Sequence, residues 1–237
     1  LRPPFRVRAA STPLIAAALT AIFLALSTSS AAADARFGVN AGYLFWQLPQ
    51  STFARNALEM RQDGVQVVRT DAFWDNVERY APSGGVHRYN WAHLDTIVAT
   101  LAAQGLQWLP IVDYSAPWAA SQHNLFGQPN LYSPPSNNGD YAAYARALVQ
   151  RYGSGGTFWS LHPELTAVPV TAVEIWNEEN GSVFWQPQPN PTAYTALYEA
   201  ARNAIHAVDP SVEVMVGGLA NPSTSFLNAM YSALGGA

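Results

Sequence analysis

Leu106-Gln107-Trp108-Leu109-Pro110-Ile111-Val112 is a nearly continuous apolar run, the pattern of a β-strand covered on both faces. Before it, residues 91–104 place Leu94, Ile97, Val98 and Leu101 on one helical face, with Asn90 as the cap and Gly105 as the stop. After it comes a long loop rich in Pro, Asn, Gly and Ser, residues 114–139. A helix opened by Asp140 follows, with Tyr141, Tyr144, Ala145, Leu148 and Val149 along its buried stripe. Helix, short turn, buried strand, long loop, helix is the rhythm of parallel βαβ units.

The same rhythm extends in both directions. Residues 37–40 read as a first strand, Ser51 as the N-cap of a helix carrying Phe53, Ala57, Leu58 and Met60 on one face, and residues 65–69 as a second strand after Gly64. Downstream, residues 152–169 read as an irregular loop holding Gly153-Ser154-Gly155-Gly156, and residues 170–176 as a fourth strand. Residues 191–208 read as a helix with Pro191 at N1, residues 212–216 as a fifth strand ended by Gly217-Gly218, and residues 224–234 as a last helix. Loops after strands are long and loops after helices short, except before the fourth strand. Long loops at the carboxyl ends of strands are where (β/α)8 barrels build their sites. The expected fold is therefore α/β, a TIM barrel of which about the first five βα units are present. The rival, a doubly wound open sheet, lacks the Gly-rich phosphate loop after strand one. A complete barrel needs eight units, so residues 34–237 are expected to be the N-terminal part of such a domain, inactive and poorly soluble alone because its sheet edges stay open.

Arg2, Arg6 and Arg8, an apolar run over residues 13–26 and Ala31-Ala32-Ala33 have the order of a secretory signal peptide, residues 1–33, cleaved after roughly Ala33. The apolar run is shorter than the roughly 20 residues of a bilayer span. A secreted, extracellular protein with no membrane attachment after cleavage is expected. The remaining chain carries nine Arg, no Lys and sixteen acidic residues, net −7. That surface argues against nucleic acid and suits a neutral substrate. With no Cys there are no disulfides and no thiolate metal sites, and the five His are scattered. No metal and no cofactor is expected. No Gly-x-Ser-x-Gly elbow is present either.

The chemistry concentrates in Val173-Glu174-Ile175-Trp176-Asn177-Glu178-Glu179-Asn180. A strand ending in Asn-Glu sets an amide beside a carboxylic acid. Glycoside hydrolysis needs an acid to protonate the departing oxygen and a donor to grip the sugar 2-hydroxyl. Here the chain resembles clan A of the glycoside hydrolases, closest in text to families 39 and 5, over residues 37–222. Four matches in order carry the likeness: the Asn-Glu; Val67-Val68-Arg69-Thr70-Asp71-Ala72-Phe73-Trp74; Tyr89-Asn90-Trp91-Ala92-His93-Leu94-Asp95; and Leu109-Pro110-Ile111 with Ala116-Pro117-Trp118-Ala119. The resemblance implies a retaining glycosidase acting on a carbohydrate, with Glu178 as general acid/base, Asn177 on the 2-hydroxyl and Arg69 beneath the site. The nucleophile would be a second Glu on strand seven, beyond Ala237. A binding-only relative that lacks the nucleophile is the alternative, and a metal-dependent barrel hydrolase a more distant one.

Many relatives follow Asn-Glu with Pro, whereas this chain has Glu179, which is expected to point into solvent. Glu174 shares a strand face with Glu178 by period two and reads as a structural partner of an Arg. Asp71 and Asp113 close their strands and are candidates to bind sugar hydroxyls; a plain loop contact is the competing reading for Asp113. Trp74, Trp118, Trp176 and Trp185 lie near strand ends. For each, core packing competes with stacking on a sugar, and one or two of them, with Trp74, Trp118 and Trp185 as candidates, are expected to form a subsite.

Overall fold

The five strands are β1 (Gly38–Asn40), β2 (Val67–Phe73), β3 (Gln107–Asp113), β4 (Ala172–Ile175) and β5 (Glu213–Val216). Each pairs in parallel with the next, giving the order β1-β2-β3-β4-β5. A doubly wound sheet reverses its strand order at a switch point. No reversal occurs here, so the sheet is the wall of a (β/α)8 barrel followed through five strands. The structure, a computed structural model, describes residues 37–235. The expected signal peptide lies outside the described residues.

Between the strands run α1 (Gln50–Gln62), α2 (Trp74–Val77), α3 (Ala92–Ala102), α4 (Asn138–Tyr152), α5 (Thr157–Leu161), α6 (Pro191–His206) and α7 (Thr224–Ala233). Asn137, Asn190 and Ser223 cap α4, α6 and α7 by accepting from the backbone N–H of Gly139, Ala193 and Phe226. Pro191 sits in the first turn of α6, as its missing N–H allows. Helix α1 starts one residue before the expected Ser51 cap, because the Pro49 carbonyl receives Thr52 and Phe53 N–H directly. The connection read as irregular before β4 contains α5, too short to show a helical period. It is held by Phe158, buried against Tyr152, and by Trp159 Nε1, which donates to the Tyr152 and Gly153 carbonyls.

Alternation along β2 sorts the side chains. Val68, Thr70 and Ala72 are fully buried, while Arg69, Asp71 and Phe73 occupy the other face. Register sets Asp71 beside Ile111, Ile111 beside Glu174 and Glu174 beside Met215, one row across the sheet. Val68, Ala72, Trp108, Val112, Val173 and Ile175 join Leu94, Ile97, Leu148 and Leu197 of the helices in the core.

Four tyrosines explain much of the Tyr content. Tyr141 and Tyr144 of α4 donate to the carbonyls of Val112 and Ala72; Tyr194 and Tyr198 of α6 donate to those of Ile175 and Val214. Spacings of three and four put each pair on one helical face. Their hydroxyls therefore satisfy strand carbonyls, close to the carboxyl ends in β2, β3 and β4, where buried acceptors would otherwise be costly. A fork of Arg151 onto Asp95 at 2.7 and 2.6 Å, joined by the Tyr152 hydroxyl, ties α4 to α3.

Candidate active site

Beyond Ile175 the backbone does something unusual. Trp176 and Glu178 both adopt left-handed conformations, φ 68° and 55°, each at a cost of roughly 1–3 kcal/mol for a residue with a side chain. The surroundings hold them there. Trp176 N–H donates to Val112 O, its indole donates to Phe184 O at 2.7 Å, and Glu178 N–H donates to Gly218 O at 2.9 Å. The two turns leave Asn177 and Glu178 half-buried at the rim of one pocket.

Arg69 organises the floor. Its Nε and Nη2 fork onto Glu174 at 2.7 and 2.6 Å, and Nη2 also reaches Asn177 Oδ1 at 2.9 Å, while Nη1 reaches Asn40 Oδ1 at 3.2 Å. Burial alone would lower the Arg69 pKa, but the hydrogen bond and charge of Glu174 outweigh it and raise it. Gly218 N–H donates to Glu174 Oε1 at 2.5 Å, so the start of the β5 loop closes on the same carboxylate. With its oxygen taken by Arg69, the Asn177 amide has one orientation. Its Nδ2 lies 3.3 Å from the Tyr114 hydroxyl.

Three more carboxyls surround this clamp. Burial pushes Asp71 up, and pushes the fully buried Asp113 well above the usual carboxylate range, with the negative charge of Asp71 adding to it. Glu179, expected in solvent, is 0% exposed. The left-handed turn at Glu178 sends the next side chain inward, where Gly217 leaves room: a Cβ there would lie 2.2 Å from Glu179 Oε2. Neither oxygen of Glu179 has a hydrogen-bond partner among the described residues, the nearby Tyr194 hydroxyl donates to Ile175 O, and burial raises the acid to about 7.

The pocket is lined by Arg69, Asp71, Asn177 and Glu178 from strand ends, by Asn40 and Tyr43 from the β1 end, and by Phe73, Tyr114, Tyr132 and Phe184. These last four form an aromatic wall. Tyr114 meets Tyr132 edge-on at 4.9 Å and stacks on Phe184 at 5.8 Å, and Phe73 lies 6.3 Å from it. Among the described residues no group of three or more His, Asp or Glu is placed to hold a metal ion, and no helix is long and apolar enough to cross a membrane.

No family model matches the chain. A beta-xylosidase of Geobacillus stearothermophilus is 25% identical over 151 residues, covering 59% of this chain and 27% of that protein. In structure, a monomeric beta-xylosidase from Caulobacter crescentus superposes with a TM-score of 0.61 at 22% identity, over 85% of this chain and 40% of that one. The family 39 glycoside hydrolase of Xanthomonas axonopodis pv. citri gives 0.59 at 19% identity, over 84% and 37%. The fold is part of a (β/α)8 barrel like those of these glycoside hydrolases. The chain spans less than half the length of each of these three proteins.

In that barrel, Arg69, Asp71, Asn177 and Glu178 come together as the sequence placed them, and Glu174 is the partner of an Arg. The tryptophans do not. Trp74 is 0% exposed; its ring stacks on Tyr144, and its indole donates to the buried Glu78 at 2.9 Å. Trp185 is buried edge-on against Trp176 and Tyr194, and Trp176 itself is buried. Trp118 packs edge-on against Trp74 and donates to Glu78 O, apart from the pocket lining. Asp113 is likewise buried and outside the lining. The core of a barrel needs large side chains just where strands end, and it takes these. The aromatic residues that do line the pocket include Tyr132 and Phe184, which lie in loops with no motif to mark them. Asn40 was legible in principle, since register sets it beside Arg69.

Proposed function

We propose that the protein is a retaining glycoside hydrolase with Glu178 as general acid/base. One observation carries the reading: Asn177 and Glu178 are turned out of β4 at the cost of two left-handed residues and set on the rim of an aromatic-walled pocket, above an arginine clamp. In this account Glu178 gives its proton to the departing glycosidic oxygen and later takes one from water. Asn177, oriented by Arg69, holds the sugar 2-hydroxyl as positive charge develops on the ring. The apolar faces of a sugar pack on Tyr132 and Phe184.

Double displacement needs a second carboxylate roughly 5–5.5 Å from the first. Glu174 is engaged by Arg69, and Asp71 lies on β2, whose neighbour Arg69 forms the floor of the site. The resemblance to clan A implies that the nucleophile is a Glu on strand seven, outside the five described strands. A location outside the cell is part of the same reading and rests on the composition of residues 1–33.

The test is the anomeric form of the first product. Full-length protein given aryl β-glycosides of xylose, mannose and glucose should release the β-anomer of the sugar, followed by proton NMR. No hydrolysis of any of them, or the α-anomer first, would defeat the proposal.

A further inference from the structure

We propose that the loop after β3 carries a distal saccharide subsite, so that the substrate is a β-linked glycan of several units rather than a short glycoside. This rests on the glycosidase reading above and extends it to chain length. Phe73, Asn76, Tyr114 and Tyr132 line both the Glu178 pocket and a second depression over Pro129, Asn130 and Leu131. Pro129 and Asn130 in turn line a third, with Gln122, His123, Gln128 and Gln186. Shared lining residues thus make the three depressions neighbours in series, from Glu178 out over the β3 loop.

The far end has the chemistry of a neutral sugar site. It holds side-chain amides and one imidazole, with no carboxylate and no Arg or Lys. Asn130 and Gln186 bond each other and the Tyr132 and Val183 backbone, and Asn124 Oδ1 is held by its own turn, so Gln122 and Gln128 are the amides that present a donor and an acceptor side by side to adjacent hydroxyls. Beside it Leu125 and Phe126 are 101% and 87% exposed. Two apolar side chains so fully in water at a loop tip need a reason, and flexibility does not supply it here. Asn124 N–H donates to Gln128 O, Gly127 N–H to Asn124 O, and Asn130 N–H to Gln122 O, while the Asn124 side chain accepts from Phe126 and Gln128 N–H. The hydrogen-bonded turn presents an exposed Phe126 between Asn124 and Gln128, two residues that line the depression, a pairing of ring and amide suited to a sugar that stacks and hydrogen-bonds together.

The experiment uses full-length protein with Glu178→Gln, which binds without turnover, and β-1,4-linked xylo-, manno- and gluco-oligosaccharides of two to six units in calorimetry. For at least one series affinity should rise tenfold or more from the disaccharide to the longer members. Phe126→Ala and Gln128→Ala should remove that rise without changing disaccharide affinity, aryl-glycoside hydrolysis on the Glu178 background, or the melting temperature. Equal affinity at all lengths, no binding in any series, or a rise that survives both substitutions would overturn the subsite. Loss of aryl-glycoside hydrolysis altogether would strike the glycosidase reading instead, so the two failures are distinguishable.

Discussion

Arg69 on β2 and Glu174 on β4 reach across β3 to form a two-pronged ion pair at 2.7 and 2.6 Å. Strands two apart are separated by nearly 10 Å, so only a long, planar donor bridges them with both bonds intact. The pair fixes the orientation of Asn177 from one side and receives Gly218 N–H from the other. It ties β2, β4 and the loop after β5 together at the floor of the site.

Glu174→Gln should accordingly leave Arg69 without its counter-charge in a site where Glu174 is almost wholly buried and Arg69 keeps only 21% of its side chain exposed. Breaking one half of a buried pair costs about 3–5 kcal/mol, and the partial exposure of Arg69 favours the lower end. Chemical denaturation should show this loss of stability. Arg69→Lys, which keeps charge but not the fork, should lose less stability yet still misplace Asn177.

Gly217 and Gly218 test the packing of the same corner. A Cβ on Gly217 would meet Glu179 Oε2 at 2.2 Å and Trp176 O at 2.9 Å, whereas one on Gly218 would meet Arg69 Nη2 at 3.1 Å and Glu174 Oε1 at 3.2 Å. Gly217→Ala should therefore destabilise by at least about 2 kcal/mol, within the range of overpacked cores. Gly218→Ala should cost less stability but disturb the clamp. Thermal melts of the two variants give the order directly.

Glu179 makes stability depend on pH in a stated direction. Its folded-state pKa, raised by burial to about 7, stands above its ordinary value of 4.5. Between those values the folded state holds a proton that the unfolded state has released, so stability falls as pH rises through that window. The loss is complete above about pH 7 and amounts to about 3 kcal/mol. Glu179→Gln should abolish this component. Melting temperatures of the two proteins should converge near pH 4.5 and separate toward pH 8, with the variant higher. Parallel curves would show that Glu179 is solvated or paired.

The alternation of strands and helices was legible because Gly64, Gly105 and Pro191 punctuate it and because period-two and helical patterns are strong over residues 65–69, 91–104 and 106–112. Asn177 and Glu178 were legible because a carboxylic acid beside an amide at a strand end is itself chemical information. Trp74 and Trp185 were not, since an indole near a strand end fits the core as well as a cleft. Glu179 was misplaced for a different reason. Its direction is set by the φ of the preceding residue and by the missing Cβ of Gly217, a position distant in sequence. Tyr132 and Phe184 enter the wall through loop conformations that no local pattern encodes.

The central claim is that Glu178 is the proton donor. It is tested by steady-state kinetics of full-length wild type and Glu178→Gln on two substrates of the same sugar, one with an alkyl leaving group and one with dinitrophenolate. The account predicts a fall in turnover of roughly 10²–10⁴ on the alkyl glycoside, and a much smaller fall on the dinitrophenyl glycoside, whose leaving group needs no proton. A loss below about tenfold on the alkyl glycoside, or an equal loss on both, would contradict it.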